Sequence, residues 1–166
     1  MREMEWPTAR GGAELLIDRQ RLIVRRLGGL GQTLISGDLD AAIADLAPGA
    51  PMLGLYALPP ENAHALRIGR TSALLITPAP LDAADGWRDG WCASSVDDAW
   101  AAVEVSGADA PKALLQATSA DLASGSPSAA VLVFGLRGLI ARTPSGFRVH
   151  LESPWLETLL TWFGGV

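Results

Sequence analysis

Two stretches of the chain repeat one short plan, in which an apolar run ends in Ser-Gly plus an acidic residue and a helix-like run follows. The first is Leu34-Ile35-Ser36-Gly37-Asp38, followed by Ala41-Ala42-Ile43-Ala44-Asp45-Leu46; the second is Glu104-Val105-Ser106-Gly107-Ala108-Asp109, followed by Pro111, Ala113, Leu114 and Ala117. A β-branched run stopped by glycine reads as a strand. An acidic residue ahead of an apolar stripe reads as a helix start, with Asp109 offering an N-cap carboxylate and Pro111 suiting the first turn. Strands and helices of this kind predict an α+β fold.

The clearer copy lies in the second half. Trp100–Val105 reads as a strand and Ala113–Ala117 as a helix. After a Ser/Gly/Pro-rich stretch at 124–128, Val131–Phe134 and Leu139–Ala141 flank Gly135-Leu136-Arg137-Gly138, whose glycines suit a tight hairpin turn. A further strand, Phe147–Leu151, alternates Phe147, Val149 and Leu151 inward with Arg148 and His150 outward. Ser153-Pro154 then opens a closing helix with Trp155, Leu159 and Trp162 on one face and Gly164-Gly165 at its end. The expected order is β-α-β-β-β-α, with split-βαβ character.

The first half reads as a worn copy. Met52–Leu58 and Ala73–Thr77 are strand-like, and Pro78–Trp87 stands where Pro154–Trp162 stands in the second half. One domain over residues 1–166 is expected, with copies at about 30–90 and 100–163. Residues 14–27 fit either a helical face or a hairpin around Asp18-Arg19-Gln20; the hairpin is preferred.

Composition narrows the function. A net charge of −5 argues against nucleic acid, which calls for clustered cations. Cys92 is the single cysteine, so no intrachain disulfide forms, and a reducing cytoplasm is expected. The first residues lack the apolar run of a signal peptide, and no stretch has the length of a membrane span.

Catalytic chemistry finds little footing. His64 sits in a Pro/Asn-containing stretch and reads as a loop residue, while His150 reads as a solvated strand residue. Cys92 has no neighbouring cation to activate it. Gly28-Gly29-Leu30-Gly31 lacks the endings of a phosphate loop and reads as a turn. Asp82, Asp85, Asp97 and Asp98 fall in polar connections, where aspartates cap turns. The expectation is no catalytic residue and no metal site.

Six tryptophans are the unusual residue type. Most should be core, but aromatics with a polar edge are also enriched where proteins meet partners, which makes Trp87 and Trp91 a candidate partner surface.

The run Val103–Ala110, with Leu114-Leu115 and Ser119-Ala120-Asp121-Leu122, resembles the strand, Ser-Gly-Pro-Asp-Ala, helix, Asp-Leu segment of sarcosine oxidase gamma subunits. Leu136–Arg142, Phe147–Ser153 and Leu159–Phe163 are similar to that family's second hairpin, its aromatic strand ending in Arg-Ser and its Trp-containing last helix. Ile68–Leu75 resembles the Leu-Gly-Pro-Asp-Glu-Trp-Leu-Leu segment, with Arg70, Thr71 and Ser72 departing from it. The Ser-Gly-x-Asp-Ala segment also occurs across the aminomethyltransferase-like superfamily.

The resemblance implies a fold like the folate-binding domain of aminomethyltransferases. It also implies an accessory subunit of an oxidase in sarcosine and one-carbon metabolism. Flavin and NAD would reside on large partner subunits and no cofactor on this chain. The alternative is a stand-alone folate or small-amine binding protein, with tetrahydrofolate held between the two copies. Self-association is a third arrangement the sequence leaves open.

Overall fold

The computed structural model describes residues 12–55, 57–82, 85–122 and 124–165. The described residues start with an antiparallel hairpin, β1 (Gly12–Arg19) and β2 (Leu22–Gly28), which is the hairpin reading of residues 14–27. The first half continues with β3 (Gly31–Gly37), α1 (Leu39–Leu46), β4 (Met52–Leu53), β5 (His64–Arg67), β6 (Ser72–Thr77), β7 (Gly86–Trp87) and β8 (Trp91–Ser95). The second half is β9 (Trp100–Ser106), α2 (Ala110–Ala117), β10 (Ala130–Val133), β11 (Leu136–Thr143), β12 (Gly146–Glu152), a 3-10 turn at Ser153–Trp155 and α3 (Leu156–Gly164).

These strands form two six-stranded sheets in an α+β fold. The first runs β1-β2-β9-β12-β11-β10 and the second β4-β5-β6-β3-β8-β7. All pairings are antiparallel except β4 with β5. The order β9-β12-β11-β10 matches β3-β6-β5-β4 strand for strand, and each set is extended by a hairpin, β2-β1 beside β9 and β8-β7 beside β3.

Three apolar clusters stack into four layers. α2 and α3 cover the outer face of the first sheet, where Leu114, Leu159 and Phe163 meet Val103, Val149 and Ile140. α1 covers the second sheet through Leu39, Ala42 and Ile43 against Ile35, Leu75 and Trp91. Between the sheets, Leu66, Leu74 and Ile76 pack on Leu139 and Ala141. The central strands of both sheets, β9, β12, β3 and β6, are therefore buried on both faces, which removes the polar side that alternation suggests.

The Ser-Gly echo has a steric basis. Gly37 has φ +100° and Gly107 φ +101°. At each corner a hairpin turn docks its backbone where a side chain would begin. A Cβ on Gly37 would lie 2.9 Å from Trp91 Cα and nearer still to the Gly90 carbonyl oxygen. One on Gly107 would lie 2.9 Å from the Arg21 carbonyl carbon and nearer still to its oxygen. Asp38 N–H donates to the Gly90 carbonyl (2.9 Å) and Asp109 N–H to the Arg21 carbonyl (3.0 Å), so both corners carry the same contact.

The two acidic residues after these glycines act differently. Asp38 caps α1, its Oδ1 accepting from Ala41 N–H at 3.0 Å. Asp109 does not cap α2, contrary to the sequence expectation, because its carboxylate turns to Arg21 Nε at 3.1 Å. The Asp109 pair has side chains 64% and 41% exposed, so solvent screens it. Replacing Asp38 by Ala should cost about 1 kcal/mol and replacing Asp109 by Ala less than about 1 kcal/mol. Urea midpoints ranked the other way would refute the assignment.

Other boundaries move for local reasons. The β10–β11 turn is Phe134-Gly135, both at positive φ (+50° and +79°), so Leu136–Gly138 lie in the strand and not in the turn. Met52–Leu58 shrinks to two strand residues and a single bridge at Leu55. Residues 78–82 and 85–87 form no helix; with Pro78 and Pro80 to remove donors, the stretch leads into the short β7. The buried face of α3 is Leu156, Leu159 and Phe163, leaving Trp155 and Trp162 exposed. The strands β5, β7 and β8 have no counterpart in the sequence reading.

Candidate functional site

The structure separates the two tryptophans proposed as a partner surface. Trp91 is 5% exposed and packs against α1, and the Arg88 guanidinium lies 5.2 Å from its ring centroid. Trp87 is 84% exposed on β7, the edge strand of the second sheet, and pairs only with Cys92. Direction along the chain explains the split: Trp91 shares the α1-facing side with Ala93 and Ile35, whereas Trp87 lies in register with Cys92 on the other side. Trp91 is a core residue, and of the two only Trp87 is exposed.

A second aromatic surface escapes the sequence reading. Phe134 stacks on Trp162 (centroids 4.9 Å, planes 12° apart) and meets Phe163 edge-on at 5.8 Å. Phe134 and Trp162 border a groove of about 800 Å³ lined also by Lys112, Gln116, Thr161 and Gly165. Lys112 is the chain's single lysine. Phe134 sits at φ +50°, uncommon for a phenylalanine, in the conformation that carries its ring to this stack.

The acidic residues hold loops. Asp97 accepts from Gln32 N–H (2.5 Å) and from Ser95 Oγ (2.9 Å), and Asp85 accepts from Ser95 N–H. Cys92 is a half-buried free thiol. Among the described residues, no three His, Cys, Asp or Glu side chains gather as a metal would need. No helix among them is long and apolar enough to cross a membrane.

Both histidines depart from the sequence expectation. His150 is fully buried and His64 is 2% exposed, on β12 and β5 of opposite sheets. Gln32 joins the layers: His150 Nδ1 lies 2.8 Å from Gln32 Oε1, while Gln32 Nε2 donates to the Trp100 carbonyl (2.8 Å). Since that amide oxygen only accepts, Nδ1 of His150 carries the proton. His64 Nδ1 likewise faces the Asn62 carbonyl at 3.1 Å. Burial, then Arg148 and His64, push the His150 pKa down to about 3. Burial also lowers that of His64, partly opposed by the hydrogen bond to the Asn62 carbonyl and aided by Arg148. Both imidazoles are neutral at physiological pH.

No family model matches this chain and no curated protein matches it. Among solved structures it is similar to a chain of the heterotetrameric sarcosine oxidase from Corynebacterium sp. U-96, solved in complex with pyrrole 2-carboxylate. The TM-score is 0.71 at 14% identity, over 88% of this chain and 84% of that one, and at that identity the likeness is one of fold.

Proposed function

We propose that this chain is a gamma-like accessory subunit that packs against the large chains of a sarcosine oxidase-like complex and supports their assembly. Substrate chemistry, flavin and NAD would belong to those partners. What carries the reading is the fold shared with a chain of a heterotetrameric oxidase over 84% of that chain's length. A subunit role also accounts for Trp87, a large aromatic left 84% exposed on an edge strand, since such residues anchor interfaces.

The test is co-expression with the oxidase-like large chains, followed by sedimentation of the mixture. Trp87→Ala should leave the melting temperature of the isolated chain unchanged, because little of the ring is buried, and should weaken association about tenfold or more, as truncating an interface anchor does. Wild-type chain that sediments alone beside folded large chains would overturn the subunit reading. A Trp87→Ala variant that binds as well as wild type would remove Trp87 from the interface. Trp91→Ala is unsuited to this test, because truncating a core ring disturbs the fold itself.

A further inference from the structure

Among the described residues, three buried side-chain nitrogens have no hydrogen-bond partner: His64 Nε2, His150 Nε2 and Arg148 Nε. Buried polar atoms are nearly always satisfied, and each exception calls for an explanation. These three lie on one internal surface. In the second sheet His64, Ile76 and Gln32 are in register across β5, β6 and β3, and Ile76 packs between the sheets. In the first sheet His150 is in register with Leu139, another residue of that layer, and Arg148 is two residues along the same strand on the same face. Arg148 acts electrostatically on both histidines, and His64 acts on His150.

The proton positions decide what could bind. Each Nδ1 faces an oxygen that only accepts, so each Nδ1 carries the proton and each neutral ring turns a bare lone pair at Nε2 toward the interior. Arg148 Nε contributes one N–H donor. The set is two acceptors and one cationic donor. An anion would be repelled by two lone pairs, and a metal cation would be disfavoured by the guanidinium beside them. A neutral group with two protons to give and a lone pair to receive fits all three.

We infer that His64, His150 and Arg148 form an internal binding site for one small protic molecule, which donates to the two imidazole nitrogens and accepts from the arginine. Two sources share that chemistry: a structural water, or the primary carboxamide of a small ligand, which is neutral, has two N–H donors and accepts at its oxygen. Internal waters satisfying about three polar partners are a regular part of protein interiors. The site is independent of the subunit role and stands if that role fails.

The test is nitrogen NMR on the whole chain labelled with ¹⁵N-histidine. Both rings should be neutral with the proton on Nδ1, and both Nε2 resonances should sit upfield of a bare imidazole nitrogen, as an accepted hydrogen bond requires. A water guest gives a solvent cross-peak to the histidine ring protons and no response to added acetamide; a ligand site gives a saturable Nε2 shift with acetamide. Nε2 resonances at the bare position, or protons found on Nε2, would overturn the site. In Arg148→Met both Nε2 signals should move, and unchanged signals in a folded variant would also overturn it.

Discussion

Between pH 7 and pH 5 the protein should lose about 2 kcal/mol of folding stability through His150 alone, approaching about 4 kcal/mol by pH 3. In the folded state its pKa is pushed down to about 3, chiefly because burial disfavours the charged ring, whereas the unfolded chain titrates near 6.5. Below pH 6.5 the unfolded state takes up a proton that the folded state refuses, so the contribution present above 6.5 drains away as pH falls toward 3. His64, lowered for the same reason, adds in the same direction. The measurement is a series of urea titrations from pH 8 to 4. In His150→Asn, whose shorter amide can still donate toward Gln32, the difference between pH 7 and pH 5 should shrink by about 2 kcal/mol. Identical pH profiles for variant and wild type would remove His150 as the cause.

The second large effect is expected at the Ser-Gly corners. Gly107→Ala should destabilise the fold by about 3 kcal/mol or more. Part of this comes from placing a side chain at φ +101° and the rest from its collision with the Arg21 carbonyl, a backbone group that cannot rotate aside. Gly49 separates the two contributions: it has φ +83° and open space where a Cβ would go, so Gly49→Ala carries the conformational cost alone, about 1–2 kcal/mol. Denaturant midpoints showing Gly107→Ala no worse than Gly49→Ala would mean that the hairpin turn moves away freely and that the docking contact is weak.

These two sites also mark what could be read in the amino acids. The order β9-α2-β10-β11-β12-α3 was legible because Val103-Glu104-Val105, Pro111, Phe147-Arg148-Val149 and Ser153-Pro154 each carry a local signal of period, cap or break. Gly37 and Gly107 were visible as punctuation, but not the turns that dock on them, since the contact joins residues distant in sequence. β5 and β8 were missed because His-Ala-Leu-Arg and Trp-Cys-Ala-Ser-Ser contain no β-branched residue. Alternation along β12 points His150 toward water, an inference that holds only when one face of a sheet is wet. Here the second sheet covers that face. Trp87 and Trp91 looked equivalent for a related reason, as proximity in sequence does not say which of two neighbouring aromatics faces the core.

The strand order of the first sheet bears on how the chain must be made. Every strand of the second sheet lies between residues 31 and 95, whereas the first sheet pairs β2 with β9, bringing Ile23 beside Ser106. During synthesis the inner strand of the opening hairpin therefore leaves the ribosome long before its neighbour exists. Leu22 and Val24, core residues of the finished molecule, wait uncovered while the second sheet is completed. The segment from β9 onward both closes the sheet and covers them, so a chain halted before β9 would carry the strands of the second sheet and an unsheltered apolar hairpin.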